Sequence, residues 1–449
     1  MKHDLTQGNI IKVLTLFTIP LILSGLFQQM FNWADAFIVG NIEGELALGG
    51  IGAVTSLYNL FVTVIVGFAS GISILAAQQH GMGKTKQLKG ILSTFVLLLG
   101  GVFGVIAIFG APLTKDILTL LDTPASIFDI GKEYLQILFI GIPFLAVYNT
   151  YSAVLRGIGD SKAAFLSVLV CSVFNIVLDL VFVAALQYGV AGAAAATVIS
   201  QAAMTIFVVS YTIRKYPVLR FHFGKGIVCR SFILAGAKFS LPPAIQSGAG
   251  SVGNLILQRF MNGFGEQTVA AITTAYRVDS AVLLPVINFG SGIATVVAQN
   301  IGAGNQIRAR KVLKTGSIMM AIVSLCLTGL VILAGKYLIA IFGLSAESVE
   351  IGKSFFYTIA ACYVIYGLSM ALRGYLEGTG DMLFSGIAGI TSLCTRIIAS
   401  YAFASRFGNM VIGYAEAFSW IVLLAIYFVR FLLAGQTNKR CHASQSSLL

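Results

Sequence analysis

Charge is scarce in this chain. Only 10% of its 449 residues are charged, while 57% are hydrophobic. No hydrophilic stretch is long enough to make a soluble domain, so a soluble enzyme or binding module is excluded and an integral membrane protein is expected. Histidine is scarcer still. His3, His80, His222 and His442 all fall in predicted loops or tails. No histidine cluster of metal-binding type and no Ser/His pair lies in an apolar run, which argues against a membrane-embedded enzyme. The cysteines at 171, 229, 326, 362, 394 and 441 are scattered with no CxxC pair. They offer neither a disulfide framework nor a zinc site. The net charge of +12 would suit a nucleic-acid partner. The basic residues sit in short loops, however, as topology signals do, and no nucleic-acid partner is expected.

What the chain has is long apolar runs. Twelve are predicted to span a bilayer as helices, at roughly 14–39, 50–77, 91–111, 134–155, 163–186, 190–212, 238–262, 272–298, 313–334, 354–375, 383–404 and 411–433. The opening residues are polar and lead straight into a full span, so no cleavable signal is expected. One set of loops and tails holds twenty Lys and Arg, among them Lys2, Lys84, Arg214, Lys225, Lys439 and Arg440. The opposite set holds five: Lys115, Lys132, Lys336, Lys353 and Arg406. By the positive-inside bias both termini are expected in the cytoplasm, with the protein multi-pass in the cell (inner) membrane.

The chain repeats itself at a shift of 221 residues. Ala77-Gln78 falls on Ala298-Gln299, Ser70-Gly71-Ile72 on Ser291-Gly292-Ile293, and Gly131-Lys132 on Gly352-Lys353. Gly157-Ile158-Gly159-Asp160 falls on Gly378-Thr379-Gly380-Asp381. These two turns lack the Gly-Lys-Ser/Thr ending of a phosphate loop and follow no strand, so they read as tight turns between spans. Six spans per half is an even number, so the halves enter from the same side and form parallel repeats. The predicted organisation is an N-terminal six-helix bundle at 1–212, a basic cytoplasmic linker at 213–236, and a C-terminal six-helix bundle and tail at 237–449.

The repeat also serves as an internal control. Asn175 and Asp179 lie four apart in an otherwise apolar run and share one helical face. A carboxylate facing lipid is costly, so Asp179 is expected to face a protein-lined or water-filled interior. The bland alternative is a polar pair that pins two helices together. At the shifted positions Asn175 meets Arg396, Asp179 meets Ser400, and Thr197 meets Phe418. Asp35 of the first span meets Leu257 or Ile256. A mere scaffold role would be kept in both halves, and here none is kept. Two carboxylates close together in a low dielectric cannot both carry charge cheaply, so a proton or a cation is expected between them. Asp35, Asn175, Asp179 and Thr197 offer oxygen ligands, which suits H⁺ or Na⁺ rather than a soft metal.

On these residues the sequence resembles the multidrug and toxic compound extrusion (MATE) transporters, over essentially its whole length. The resemblance rests on Asp35 preceding Val39-Gly40, the Gln78-x-x-Gly81-x-Gly83 run and its second-half repeat, and the Arg156-Gly157-x-Gly159-Asp160 turn. It implies an all-α integral membrane fold of twelve transmembrane helices, arranged as two parallel-repeat six-helix bundles around a V-shaped cavity. It implies the branch with its cation site in the N-terminal bundle, at Asp35, Asn175, Asp179 and Thr197, where Na⁺ is the candidate metal. A second branch uses acids in spans 7 and 10. Here Gly250 and Tyr366 stand near those places, so that site is not carried over.

The implied function is secondary active antiport. Organic, cationic compounds are exported in exchange for H⁺ or Na⁺ by alternating access, with Pro20 offering a hinge in the first span. The alternative is a lipid or lipid-linked precursor flippase of the same superfamily. That activity calls for embedded basic residues, and here Arg259, Arg277 and Arg396 are few. Substrate-cavity candidates in the second half are Asp279, Arg396, Glu416 and Tyr276. The bland reading of those charges is Arg–acid pairing. The expected partners are a small organic substrate and the lipid bilayer, the chain acting as a monomer. No cofactor is expected beyond the coupling ion.

Overall fold

The computed structural model describes residues 4–121, 123–221 and 229–446, with the side chains of 45 and 435–446 outside the description. Lys2, His3, His222, Lys225, Lys439, Arg440, Cys441 and His442 therefore lie outside the described residues and side chains. The described chain is helical throughout, with no strand among the described residues. The helices are α1 Ile10–Ile42, α2 Gly44–Gly81, α3 Thr85–Leu120, α4 Ala125–Gly157, α5 Ser161–Asp179, α6 Gly189–Lys215 and α7 Arg230–Asn262. They continue as α8 Glu266–Val282, α9 Leu284–Gly302, α10 Gln306–Ala340, α11 Ala346–Ala360, α12 Tyr363–Thr379, α13 Met382–Phe407 and α14 Val411–Ser446.

Each of the twelve predicted spans has its helix, but three of them are broken. The fifth passes from α5 into a wider π-helical segment, Leu180–Ala185. There the Leu186 N–H reaches back five residues to the Val181 carbonyl at 2.9 Å. The eighth is α8 plus α9, parted at Leu283 just before Pro285, whose missing N–H suits the first turn of a new helix. The tenth is α11 plus α12, bent by 49°. No Gly or Pro stands at that bend. Instead the Thr328 hydroxyl of α10 donates to the Ala360 carbonyl at 2.8 Å and satisfies the backbone group that the break releases. Among the described residues, nine helical stretches pass as membrane spans by length and hydropathy, ten with the bent pair included. Both α7 and α8 fall short of that measure: Pro242, Pro243, Gln246 and Asn254, with several Ser and Gly, dilute the apolar residues of α7, and α8 is 17 residues long.

The chain forms two compact units. The first holds Met1–Gly8, Thr15–Ser251 and Gly302–Gly304. The second holds Asn9–Leu14, Val252–Ile301 and Asn305–Leu449. Within the first, Ile65, Ile72, Leu92, Phe95, Phe139 and Ile142 belong to one buried apolar core. The first part of α7 packs on this core through small residues of α2. A Cβ added at Gly67 would stand 2.6 Å from the Ala244 Cα and 2.8 Å from the Pro243 carbonyl oxygen. The helices touch there because no side chain intervenes.

The repeated turns take the same form in both units. Gly159 and Gly380 adopt positive φ, 92° and 98°, a conformation that a Cβ disfavours. The acid that follows each glycine is held from the last long helix of its own half. Asp160 caps α5, accepting from the Ala163 N–H at 3.3 Å. Its other oxygen accepts from Lys215 Nζ at 2.8 Å, Tyr216 at 2.7 Å and Tyr211 at 3.0 Å. Burial works to raise its pKa, but those hydrogen bonds and the Lys215 charge outweigh burial and hold the carboxyl below its ordinary range. Asp381 instead accepts from Arg430 Nε at 2.6 Å.

Candidate functional site

Inside the first unit, α1, α5 and α6 bring Asp35, Asn175, Asp179 and Thr197 together. One helical turn separates Asn175 from Asp179, and the two are 1% and 0% exposed. The Asn175 amide donates a long hydrogen bond, 3.5 Å, to the Thr197 hydroxyl, which orients its oxygen away from Thr197. That oxygen, both carboxyl oxygens of Asp179 and one of Asp35 are enclosed without a hydrogen-bond donor. The carboxyl groups of Asp35 and Asp179 lie within hydrogen-bonding reach of each other.

A buried group of acceptors with no donors is costly as it stands. Facing carboxylates repel unless a positive charge sits between them. A proton or a hard cation would satisfy these oxygens, and the all-oxygen ligand set suits either. Among the described residues no group of three His, Cys, Asp or Glu side chains could hold a metal. The π-helical segment begins at the residue after Asp179, and such segments recur at functional sites.

Two further residues complete the surroundings, and sequence reasoning missed both. Tyr134 of α4 is buried in the electrostatic neighbourhood of Asp35, Tyr58 and Asp179. Tyr58 of α2 accepts a hydrogen bond from Gln201 Nε2 at 2.8 Å. The repeat carried the signal for each. At the shifted positions the second half has Phe355 for Tyr134 and Asp279 for Tyr58.

The second unit brings its predicted residues together differently. Tyr276 of α8 donates to Glu416 Oε2 of α14 at 2.8 Å. Arg396 of α13 donates to the Tyr276 hydroxyl at 2.5 Å and stands 3.4 Å from the same Glu416 oxygen. Arg–acid pairing thus describes Arg396 and Glu416. Asp279 does not share it, since its close partner is the Tyr363 hydroxyl, which donates to Oδ1. The neighbouring Arg277 points outward and is exposed. Pro20 lies inside an unbroken α1, where the Ser24 hydroxyl donates to the Pro20 carbonyl at 2.9 Å.

Long apolar helices in two repeated halves, with charged groups enclosed among them, define a multi-pass membrane transporter. The MatE family model matches residues 20–181 and again residues 242–402, once in each half. The chain belongs to the MatE family of membrane transporters. It is 30% identical to the "Probable multidrug resistance protein YpnP" of Bacillus subtilis over 384 residues, 85% of each chain. To the "Multidrug export protein MepA" of Staphylococcus haemolyticus it is 21% identical, covering 99% of this chain and 97% of the relative. A solved structure described as the outward-facing conformation of a multidrug resistance MATE family transporter of the MOP superfamily has the same fold. It superposes with a TM-score of 0.92 at 20% identity, over 98% of this chain and 99% of that one. Members of this family are transporters rather than enzymes, moving small molecules across a bilayer.

Proposed function

We propose that the protein is a secondary active antiporter that exports organic, cationic compounds in exchange for H⁺ or Na⁺. The observation that carries this reading is the group of donor-less oxygens on Asp35, Asn175 and Asp179, with Thr197 accepting from the Asn175 amide beside them. Ion entry neutralises the facing carboxylates, and ion departure restores their repulsion. Asp35 stands on α1, so the change acts on the helix that contains Pro20. A proline inside a helix leaves the carbonyl four residues earlier, at Leu16, without its usual N–H partner, which makes that turn a point of bending. Ion occupancy at Asp35 and bending at Pro20 then belong to one alternating-access cycle. Each charge that crosses 100 mV supplies about 2.3 kcal/mol.

The names of the relatives support organic drugs as cargo, because YpnP and MepA are described as multidrug resistance and multidrug export proteins. The twenty-to-five bias of basic residues supports a multi-pass cell-membrane protein with both termini in the cytoplasm. The test is transport in proteoliposomes with pH and Na⁺ gradients imposed one at a time. Uphill movement of an organic cation under one of the gradients is expected. A protein that moves the cation only downhill under both gradients, or that moves lipid instead, would sink the antiport reading.

A further inference from the structure

The second unit has a buried polar cluster of its own, built at places in the six-helix repeat that the first unit also uses. Arg396 stands at the repeat position of Asn175, and Asp279 at that of Tyr58. The surrounding side chains differ throughout, so this is a separate construction on shared backbone positions.

Its charges do not balance. The ionisable groups that bear on Asp279 are Glu416 of α14, Tyr363 of α12 and Arg396 of α13. Tyr276 of α8 and Tyr366 of α12 belong to the same neighbourhood. One guanidinium thus faces two carboxyl groups. Arg396 is committed to Glu416 and Tyr276. Asp279 is 5% exposed and makes no ion pair with any described residue. With both acids ionised, the cluster holds one uncompensated negative charge inside the bundle, a costly arrangement in a low dielectric. One proton on Asp279 removes it.

The geometry points to Asp279 as a second proton-binding site, in the C-terminal unit and independent of the Asp35–Asp179 pair. The ligand is a proton taken from water. The carboxylate of Asp279 becomes a carboxylic acid, and the Tyr363 hydroxyl, which donates to the ionised form, can accept from the protonated one. A metal cation suits the cluster poorly. Such an ion needs several free oxygens. Here phenolic donors already occupy one oxygen of each acid, and the Arg396 charge repels a second cation.

The structure supplies its own reporter. The chain has two tryptophans, Trp33 and Trp420. Trp420 packs at 4.7 Å on the Tyr366 ring and at 6.1 Å on Tyr363, the residue that donates to Asp279. Trp33 lies on α1 and is 45% exposed. In purified Trp33→Phe protein, Trp420 emission followed against pH is expected to show one titration step. Adding Asp179→Asn should leave that step in place, and adding Asp279→Asn should abolish it. Tyr363→Phe keeps the ring beside Trp420 but removes the donor, and it should displace the midpoint.

The proposal is overturned if no step occurs or if the step survives Asp279→Asn. Loss of the step on Asp179→Asn would overturn it as well, by assigning the signal to the first unit. Should Asp279→Asn not fold, an unmoved midpoint in Tyr363→Phe overturns the proposal in its place. The readout is an equilibrium titration of the protein alone. Failure of antiport in proteoliposomes and failure of this proposal are therefore separate results.

Discussion

Tyr134 and Phe355 hold equivalent positions in the two halves of the chain, both buried, and Tyr134 alone carries a hydroxyl. In the first unit that hydroxyl belongs to the neighbourhood of Asp35 and Asp179, whereas in the second the Phe355 ring packs at 5.0 Å on Tyr276. Tyr134→Phe keeps the ring and removes the polar end. Ion-driven efflux is expected to fall about threefold to tenfold, the scale of one polar contact of about 1 kcal/mol, with expression intact. The reciprocal change, Phe355→Tyr, buries a hydroxyl at a site with no exposure. It should lower stability by about 1–3 kcal/mol without touching the first site. Vesicle efflux rates and melting curves of the two variants check this pair of outcomes.

The repeat gives the coupling site its control. Asp35→Asn and Asp179→Asn should each abolish uphill efflux while the protein still assembles in the membrane. Ser400 stands at the repeat position of Asp179, and its hydroxyl donates to the Arg396 carbonyl of its own helix at 2.9 Å. Ser400→Ala should cost less than about twofold, because a helix-internal back-bond contributes little. Normal uphill efflux in both aspartate variants would place the coupling group elsewhere.

The sequence made the spans and the duplication legible because hydropathy and a fixed shift act on whole segments. Asp35, Asn175, Asp179 and Thr197 were legible because each is polar in an apolar run and is replaced in the other half. Tyr134 and Tyr58 were not, because a tyrosine in a membrane helix reads as packing until its neighbours are known. The three broken spans had unequal signals. Pro285 marks the break before α9, while the α11–α12 bend depends on Thr328 of another helix, which no local pattern announces. The commitment of Arg396 to Glu416 instead of Asp279 is a tertiary fact of the same kind.

The approach of α7 to α2 depends on glycine. At Gly67 the atoms that a Cβ would strike are backbone atoms of Pro243 and Ala244, which cannot rotate away. Gly67→Val should therefore separate the two helices and lower the detergent melting temperature by several degrees. Gly52 lies on the same helix with nothing within 4 Å of its added Cβ. Gly52→Ala should be neutral or slightly stabilising, as removal of a helix glycine usually is. Equal melting of the two variants would contradict the close contact.

Asp160 makes stability depend on pH with a definite sign. Its carboxyl is held below the ordinary range despite burial, through Lys215, Tyr216 and Tyr211. A group whose folded pKa is depressed contributes its full stabilisation above the unfolded value, about 3.9, and loses it as pH falls through the folded value. Asp160→Asn should cost about 1–3 kcal/mol at neutral pH, since it removes hydrogen bonds to a charged group. The gap between wild type and variant should start to narrow below about pH 4 and close as pH falls through the lower folded value. Asp381→Asn should cost less, because the Asp381 and Arg430 side chains are 25% and 40% exposed. Melting curves at neutral and acid pH distinguish the two turns.

A single cluster can serve two ions. The enclosed oxygens of Asp35, Asn175 and Asp179 can be satisfied by a proton or by Na⁺, but both ions answer the same charge. Na⁺ and H⁺ should therefore compete. Radioactive sodium bound to the purified protein should be displaced as the proton concentration rises, and Asp35→Asn or Asp179→Asn should lose that binding. Antiport further requires that ion and cargo favour opposite conformations. Linkage then obliges each to weaken the other's equilibrium binding by one common factor, about 5- to 150-fold for typical couplings. Cargo affinity measured at several fixed Na⁺ levels gives that factor once, and Na⁺ affinity at several fixed cargo levels gives it again. The two values must agree. A cargo that leaves ion affinity unchanged, with wild type and Asp179→Asn alike, would mean that this cluster stabilises the fold and does not drive transport.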